Sequence, residues 1–227
     1  MSIKANLASV RARIGQAADR SGRDGSTVKI LGVTKFAAPQ EMQELVTAGL
    51  ASFGENRIQQ AVERIELFPD VEWHFIGNLQ TNKVRFCQQF YLIHSLDRLR
   101  LARALNRRAQ DWGKLQKVLV QVNVSGEASK SGLQPERVRS FVQKILLECP
   151  HLEIRGLMTM APLIEAEKTR PVFRQTKALY DQLQQELGLV WDTLSMGMTN
   201  DFEVAVEEGA TLVRIGSALF AKEEDNE

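Results

Sequence analysis

The sequence predicts an α/β chain folded as one (β/α)8 TIM barrel, with an extra helix at its N-terminus. Three observations carry that prediction. Short apolar runs alternate regularly with amphipathic helical segments, and no linker or internal repeat divides the chain. Small or polar residues gather at the C-terminal ends of the apolar runs, where barrels of this kind place their chemistry. A doubly wound open sheet would give the same alternation, but a Gly-rich fingerprint would follow its first strand, and Thr34-Lys35-Phe36 stands there instead.

The elements follow in order. Ile3, Leu7, Val10, Ile14 and Ala17 recur at steps of three and four, which predicts an amphipathic helix ended by Gly22. The first strand, 29–34, is apolar on both faces, as buried parallel strands are, and Phe36-Ala-Ala-Pro39 stops it. Further strands are expected at 51–54, 72–76, 90–95, 117–124, 153–158, 192–195 and 211–215. Helices are expected between them at 40–48, 57–67, 80–88, 97–112, 135–148, 170–187 and 200–208. Pro135 suits a first helical turn, and Gly49, Gly188 and Gly209 stand just past helix ends. Val138, Phe141, Val142, Ile145 and Leu146 form one apolar stripe; Phe173, Leu179, Leu183 and Leu187 form another. The acidic end, 223–227, reads as a disordered tail.

Size and composition bound the function. A chain of 227 residues suits a single domain, 1–227, because α/β barrels of this length are usually one unit. A hydrophobic content of 44% and a charged content of 25% are those of an ordinary soluble protein. The formal net charge of +1 gives no general attraction to nucleic acid or to an anionic membrane. The apolar runs, such as 118–122, are far too short to span a bilayer, and residues 1–20 are too mixed in charge for a signal peptide. Cys87 and Cys149 have neither disulfide nor metal-ligand spacing, so a reduced, cytoplasmic setting is expected. Arg100, Arg103 and Arg107 share a helix face beside Arg98 and Arg108. Without interleaved aromatic residues they read as a solvated outer face rather than a nucleic-acid site. His94 and His151 show no recurring metal-ligand spacing with cysteine or acidic residues, so no metal is expected.

The strand ends deliver, in order, Lys35; Glu55-Asn56-Arg57; Gly77-Asn78; Ser95; Asn123-Val-Ser125; Met158-Thr159; Ser195-Met-Gly197; and Arg214 with Gly216-Ser217. A lone lysine at the rim of a core is in a setting that disfavours a charged ammonium, and a neutral amine is the nucleophile that condenses with an aldehyde. Alone, Lys35 reads equally as a side chain snorkelling to water. The glycine-containing loops after the last two strands, Ser195-Met-Gly-Met198 and Arg214-Ile-Gly-Ser217, occupy the usual phosphate position of this fold, though such glycines also serve plain tight turns. Together, lysine and cradle suit a phosphorylated aldehyde held as an imine. His74 alternates with Trp73 on a short strand and reads as a hydrogen-bonded supporting group, while Met158, Met160, Met196 and Met198 read as core and pocket wall.

Several ordered motifs run along almost the whole chain: Gly32-Val-Thr-Lys35; Phe53-Gly-Glu-Asn56; Trp73-His-Phe-Ile-Gly77 with Leu79-Gln80 and Asn82-Lys83; Val120-Gln-Val-Asn-Val-Ser-Gly126 with Ser129-Lys-Ser-Gly132. They continue through Gly156-Leu-Met-Thr159, Leu194-Ser-Met-Gly-Met198 with Asp201-Phe-Glu203, and Val213-Arg-Ile-Gly216. In these the chain resembles the pyridoxal phosphate homeostasis family (YggS/PROSC proteins), and within it a cyanobacterial member. Asn78 stands where many relatives have histidine. The resemblance implies a barrel like that of alanine racemase, binding pyridoxal 5′-phosphate as an imine to Lys35. It places the phosphate on Ser195 and the Gly216-Ser217 backbone with Met196 and Gly197 adjacent, Arg214 against the ring nitrogen, and Asn56 near the phenolic oxygen.

Arg214 bears on activity. A guanidinium only donates, so a ring nitrogen facing it stays unprotonated and withdraws electrons weakly. Racemisation tolerates this but needs a second acid–base group, and Tyr91 and Tyr180 are poorly placed on a strand body and in mid-helix. The expectation is therefore a monomeric cofactor carrier without strong catalysis of its own, serving vitamin B6 and, indirectly, amino-acid homeostasis, with PLP-dependent apo-enzymes or a regulatory protein as partners. A modest amino-acid racemase is the rival, and an imine-forming aldolase for sugar phosphates is the third reading. No nucleic-acid or membrane partner is expected.

Overall fold

A computed structural model of the chain describes residues 2–127 and 131–221. The acidic segment 223–227, and Ser129 and Lys130, lie outside the described residues. Eight strands, β1 (Lys29–Val33), β2 (Ser52–Glu55), β3 (Glu72–Phe75), β4 (Leu92–Leu96), β5 (Gln116–Val122), β6 (Leu152–Thr159), β7 (Thr193–Met198) and β8 (Leu212–Ile215), pair in parallel in chain order. β8 pairs back onto β1, with Ile30 opposite Val213 and Leu31 opposite Arg214, which closes the barrel and excludes the open sheet.

Helices α1 (Ile3–Arg20), α2 (Pro39–Thr47), α3 (Ile58–Leu67), α4 (Leu99–Asp111), α5 (Pro135–Glu148), α6 (Ala166–Leu187), α7 (Phe202–Glu207) and α8 (Ser217–Phe220) surround it. The Ser2 hydroxyl caps α1 by accepting from the Ala5 amide. Asn6 on α1 is buried and donates to the carbonyls of Leu219 and Ala221 at 3.1 and 2.9 Å, fastening the end of the described chain to its beginning.

Strand pleat separates two apolar layers. Successive side chains face opposite sides of a strand, and Ile93, Val118, Val120 and Leu157 pack outward with the helices. Their neighbours Leu92, Leu119 and Met158 form a separate cluster inside the barrel, with Tyr91 and Met160 against it. The arginines of α4 stand on its solvated side, Arg103 pairing with Glu148 at 2.6 Å, while Leu101, Ala102 and Leu105 face the core.

Three elements differ from the sequence pattern. The helix expected at 80–88 is a six-residue 3₁₀ segment, Thr81–Phe86. Val84 within it, and Cys87 and Phe90 just after it, are buried at steps of three, the period of a 3₁₀ turn. α6 starts four residues before 170 and carries Pro171 inside it; near the helix start, proline forfeits one backbone hydrogen bond. β7 does not end at Ser195 but continues to Met198, its register against β8 shifting between these residues.

Candidate functional site

A cleft of about 730 Å³ opens at the C-terminal rim, between the ends of β1, β7 and β8. Lys35, Arg214, Gly216 and Ser217 line it together with Met198, Thr199, Asn200 and Asp201, while Phe36, Leu163, Ile164 and Phe220 make an apolar lip. A second cleft, about 690 Å³, lies at the opposite end under α1, among ordinary charged groups such as Asp19, Lys29 and Glu72. Only the first holds the residues that the strand-end pattern singles out.

The position of Lys35 is set from below. Ala37 donates its amide to the Thr34 carbonyl at 2.8 Å, closing a tight turn around Lys35 and Phe36. Arg64 of α3 reaches under this turn, donating to the carbonyls of Thr34 at 2.5 Å and Ala37 at 2.9 Å. The same guanidinium pairs with Glu55, whose side chain is fully buried and whose Oε1 also accepts from the Thr34 hydroxyl at 2.6 Å. A buried ion pair thus grips the loop that carries the lysine. The Lys35 ammonium, half-buried, lies 5.0 Å from the Phe36 ring centre and has no carboxylate partner among the described residues.

Arg214 occupies the barrel interior. Its Nη1 donates to Ser195 O at 3.0 Å and Ser195 Oγ at 2.7 Å, and its Nη2 to Thr159 O at 2.9 Å. Burial pushes its pKa down to about 10, opposed by the nearby Asp201 carboxylate, so it stays charged at neutral pH. Burial in turn raises the Asp201 carboxyl, whose Oδ1 accepts from the Met198 amide at 2.6 Å. Behind Ser195, His94 Nδ1 is 3.1 Å from Oγ, and His94 Nε2 is 2.9 Å from His74 Nδ1. Burial lowers both imidazoles, His74 to about 3 with help from Lys29 and Lys117, His94 well below its ordinary value with help from His74 and Arg214.

The residues expected at the site are therefore only partly gathered. Lys35, Arg214, Gly216 and Ser217 share the cleft. The Ser195 hydroxyl points into the barrel, where Arg214 and His94 engage it, and Ser195 is not among the residues lining the cleft. Met196 is fully buried on the opposite, helix-facing side, because 195–198 is strand rather than loop. Gly197 has φ +91 and backs onto α7, where an added Cβ would come within 2.6 Å of Ala205 Cβ. Thr199 and Asn200 take the rim position expected of 195–197. Asn56 is exposed at the end of β2, its carbonyl packed so closely on Gly77 that a Cβ there would lie 2.2 Å away. Asn78 is also exposed, its Nδ2 3.4 Å from Ser131 Oγ. His74 proves to be the buried, hydrogen-bonded group expected. Arg64 and the His94 link were missed; the only sequence trace of the former is an acidic residue inside the apolar Phe53-Gly-Glu55 strand.

These residues fit a phosphorylated pyridine aldehyde. Arg214 keeps its Nε hydrogen and one Nη2 hydrogen without an acceptor among the described residues, and it lines the same cleft as an unpaired lysine. Gly216 lines the cleft with its amide donating to the Thr199 hydroxyl at 3.4 Å, and a Cβ added there would find only ordinary contact with Val33 at 3.5 Å. Among the described residues no cluster of histidine, cysteine or carboxylate could hold a metal ion.

Comparison with known proteins is consistent with this arrangement. The model of the alanine racemase N-terminal domain matches residues 5–223. A pyridoxal phosphate homeostasis protein of Aquifex aeolicus is 44% identical over 220 residues, covering 95% of this chain and 96% of the relative. One of Pseudomonas aeruginosa is 43% identical, covering 96% and 94%. Among solved structures, PipY of Synechococcus elongatus with PLP bound superposes with a TM-score of 0.83 at 35% identity, over 96% of this chain and 100% of that one. An alanine racemase of Clostridium difficile shares the fold at 16% identity, with a TM-score of 0.74 over 99% of this chain and 58% of the racemase.

Proposed function

The chain belongs to the pyridoxal phosphate homeostasis protein family, and from that premise we propose that it holds pyridoxal 5′-phosphate covalently as an imine on Lys35 and releases it to PLP-dependent apo-enzymes, acting in vitamin B6 homeostasis and indirectly in amino-acid homeostasis. One observation carries the reading: a lysine without a carboxylate partner and a buried arginine with unspent donors line one cleft. When bound, the cofactor supplies an aldehyde that condenses with amines on an electron-withdrawing ring. Lys35 would bind its carbonyl carbon, and the Gly216 and Ser217 backbone with Thr199 and Asn200 would hold its phosphate. Arg214 would donate to the ring nitrogen and keep it unprotonated. Asn56 would reach toward the phenolic oxygen.

Carriage rather than turnover is supported by what surrounds the lysine. Tyr91 lies beside His74 and under Lys117, away from the cleft lining, and Tyr180 is buried against Trp191 with its phenol raised to about 12 by burial. Neither tyrosine lines the cleft that holds Lys35, which supports a site without a second acid–base group opposite it. Asp201, whose carboxylate acts on Arg214, is tied to the Met198 amide. We also propose that the chain works as a monomer.

The test is a borohydride reduction of purified protein loaded with pyridoxal phosphate, followed by mass spectrometry of the peptides. Protein that is yellow before reduction and bleached after it, with the adduct on Lys35, and a colourless Lys35→Ala are expected. An adduct on another lysine would overturn the reading. Efficient conversion of an L-amino acid to its D form would favour the racemase instead.

A further inference from the structure

Ser195, His94 and His74 form a buried polar chain that cofactor binding by Lys35 and Arg214 leaves without a role. Its direction can be worked out from donors and acceptors alone. A guanidinium has only donors, so Ser195 Oγ accepts from Arg214 at 2.7 Å. The single hydrogen of that hydroxyl then has one partner within reach, Nδ1 of His94 at 3.1 Å. Nδ1 is therefore the acceptor, and the proton of a neutral His94 sits on Nε2. Nε2–H donates to His74 Nδ1 at 2.9 Å, which leaves the His74 proton on Nε2, buried without a partner. In the reverse arrangement two N–H groups would converge on Ser195 Oγ, and the hydroxyl hydrogen would have no acceptor among the described residues.

We propose that His94, acting through Ser195, is a positioning residue for Arg214, holding the guanidinium in the rotation that aims its unspent N–H groups into the cleft, toward the cofactor's ring nitrogen. Both hydrogens of Nη1 go to Ser195, one to its carbonyl and one to its hydroxyl, and an Nη2 hydrogen goes to Thr159 O. The plane of the guanidinium is thus set by β6 and β7 before any ligand arrives. The hydroxyl keeps its lone pairs on Arg214 only while its hydrogen has somewhere else to point, and His94 Nδ1 is that place. The inference rests on the cofactor reading given above.

The proposal is tested by the ratio of two dissociation constants, for pyridoxal phosphate and for its analogue with C–H in place of the ring nitrogen. Two near-isosteric variants separate positioning from packing. His94→Asn puts an amide oxygen where Nδ1 stood; His94→Gln carries its amide toward the Nε2 position and leaves the Ser195 hydroxyl without an acceptor. Wild type is expected to prefer the pyridine ligand by about tenfold or more, the scale of a hydrogen bond from a charged donor. His94→Gln should lose most of that preference, and His94→Asn should stay close to wild type. If both variants keep the wild-type ratio, or weaken both ligands equally, the proposal is overturned while the cofactor reading stands. A wild type that binds the two ligands alike removes the arginine contact and overturns the proposal, while the Lys35 reading is decided separately by the borohydride adduct. Nitrogen-15 NMR of the wild-type imidazoles needs no variant: protons on Nε2 of His94 and of His74 are expected, and a protonated Nδ1 on His94 overturns the proposal.

Discussion

Replacing Arg64 with alanine tests the idea that a buried charge pair, and not the lysine's own contacts, sets the catch of the site. The substitution removes the donors to Thr34 O and Ala37 O and leaves the fully buried Glu55 carboxylate with the Thr34 hydroxyl as its remaining hydrogen-bond partner. Removing one partner of a buried ion pair typically costs about 3–5 kcal/mol, because the other charge stays desolvated. For a chain of this size about 2–4 °C of melting temperature follows each kcal/mol, so a fall of roughly 6–20 °C is expected in a thermal melt. Adding Glu55→Gln removes the stranded charge while keeping an amide oxygen for Thr34, and should recover about 2 kcal/mol or more of the loss. The pairing of Lys35 with the cofactor should stay slower in both variants, since Thr34 and Ala37 lose their anchor. If Arg64→Ala melts within about 2 °C of wild type, or the double variant is no more stable than the single, the reasoning is wrong.

Other expectations follow from the same geometry. Below its ordinary value of 6.5, His74 takes up a proton in the unfolded chain, whereas the folded site resists protonation down to about 3. The unfolded state then binds more protons, so stability is full above 6.5 and falls as pH drops toward 3, by about 1.4 kcal/mol per pH unit from this residue. Urea unfolding of His74→Gln between neutral and mildly acid pH should show a shallower slope, and an unchanged slope would contradict the assignment. Gly197→Ala combines φ +91 with a Cβ 2.6 Å from Ala205 Cβ. It should cost about 2–4 kcal/mol in equilibrium unfolding; under about 1 would mean that α7 yields easily. Arg214→Gln should weaken cofactor retention by about 10–100-fold in a fluorescence titration, and an unchanged affinity would argue against the ring contact.

How much of this was legible depends on the range of the interaction concerned. Strand and helix periods are local, so the eight apolar runs, the α1 stripe and the glycine helix stops could be read directly from the chain. Lys35 and Arg214 were legible for the same reason, as charged residues at or inside apolar strands. The loop reading of 195–198 failed because a strand with a register shift looks, in sequence, like a strand that has ended at a glycine.

By itself the sequence determined the elements, their order and the rim on which a lysine would meet a ligand, since hydrophobic periodicity and strand polarity are written residue by residue. Barrel closure decided what the interior polar groups touch. Which strand faces which across the lumen depends on pleat parity and register summed over eight strands, and that sum brought His94 of β4 to Ser195 of β7, 101 positions away. It also seated Arg64 of α3 beneath the Lys35 turn, a contact no local pattern encodes because only the folded barrel buries Glu55 and makes a partner for its charge necessary.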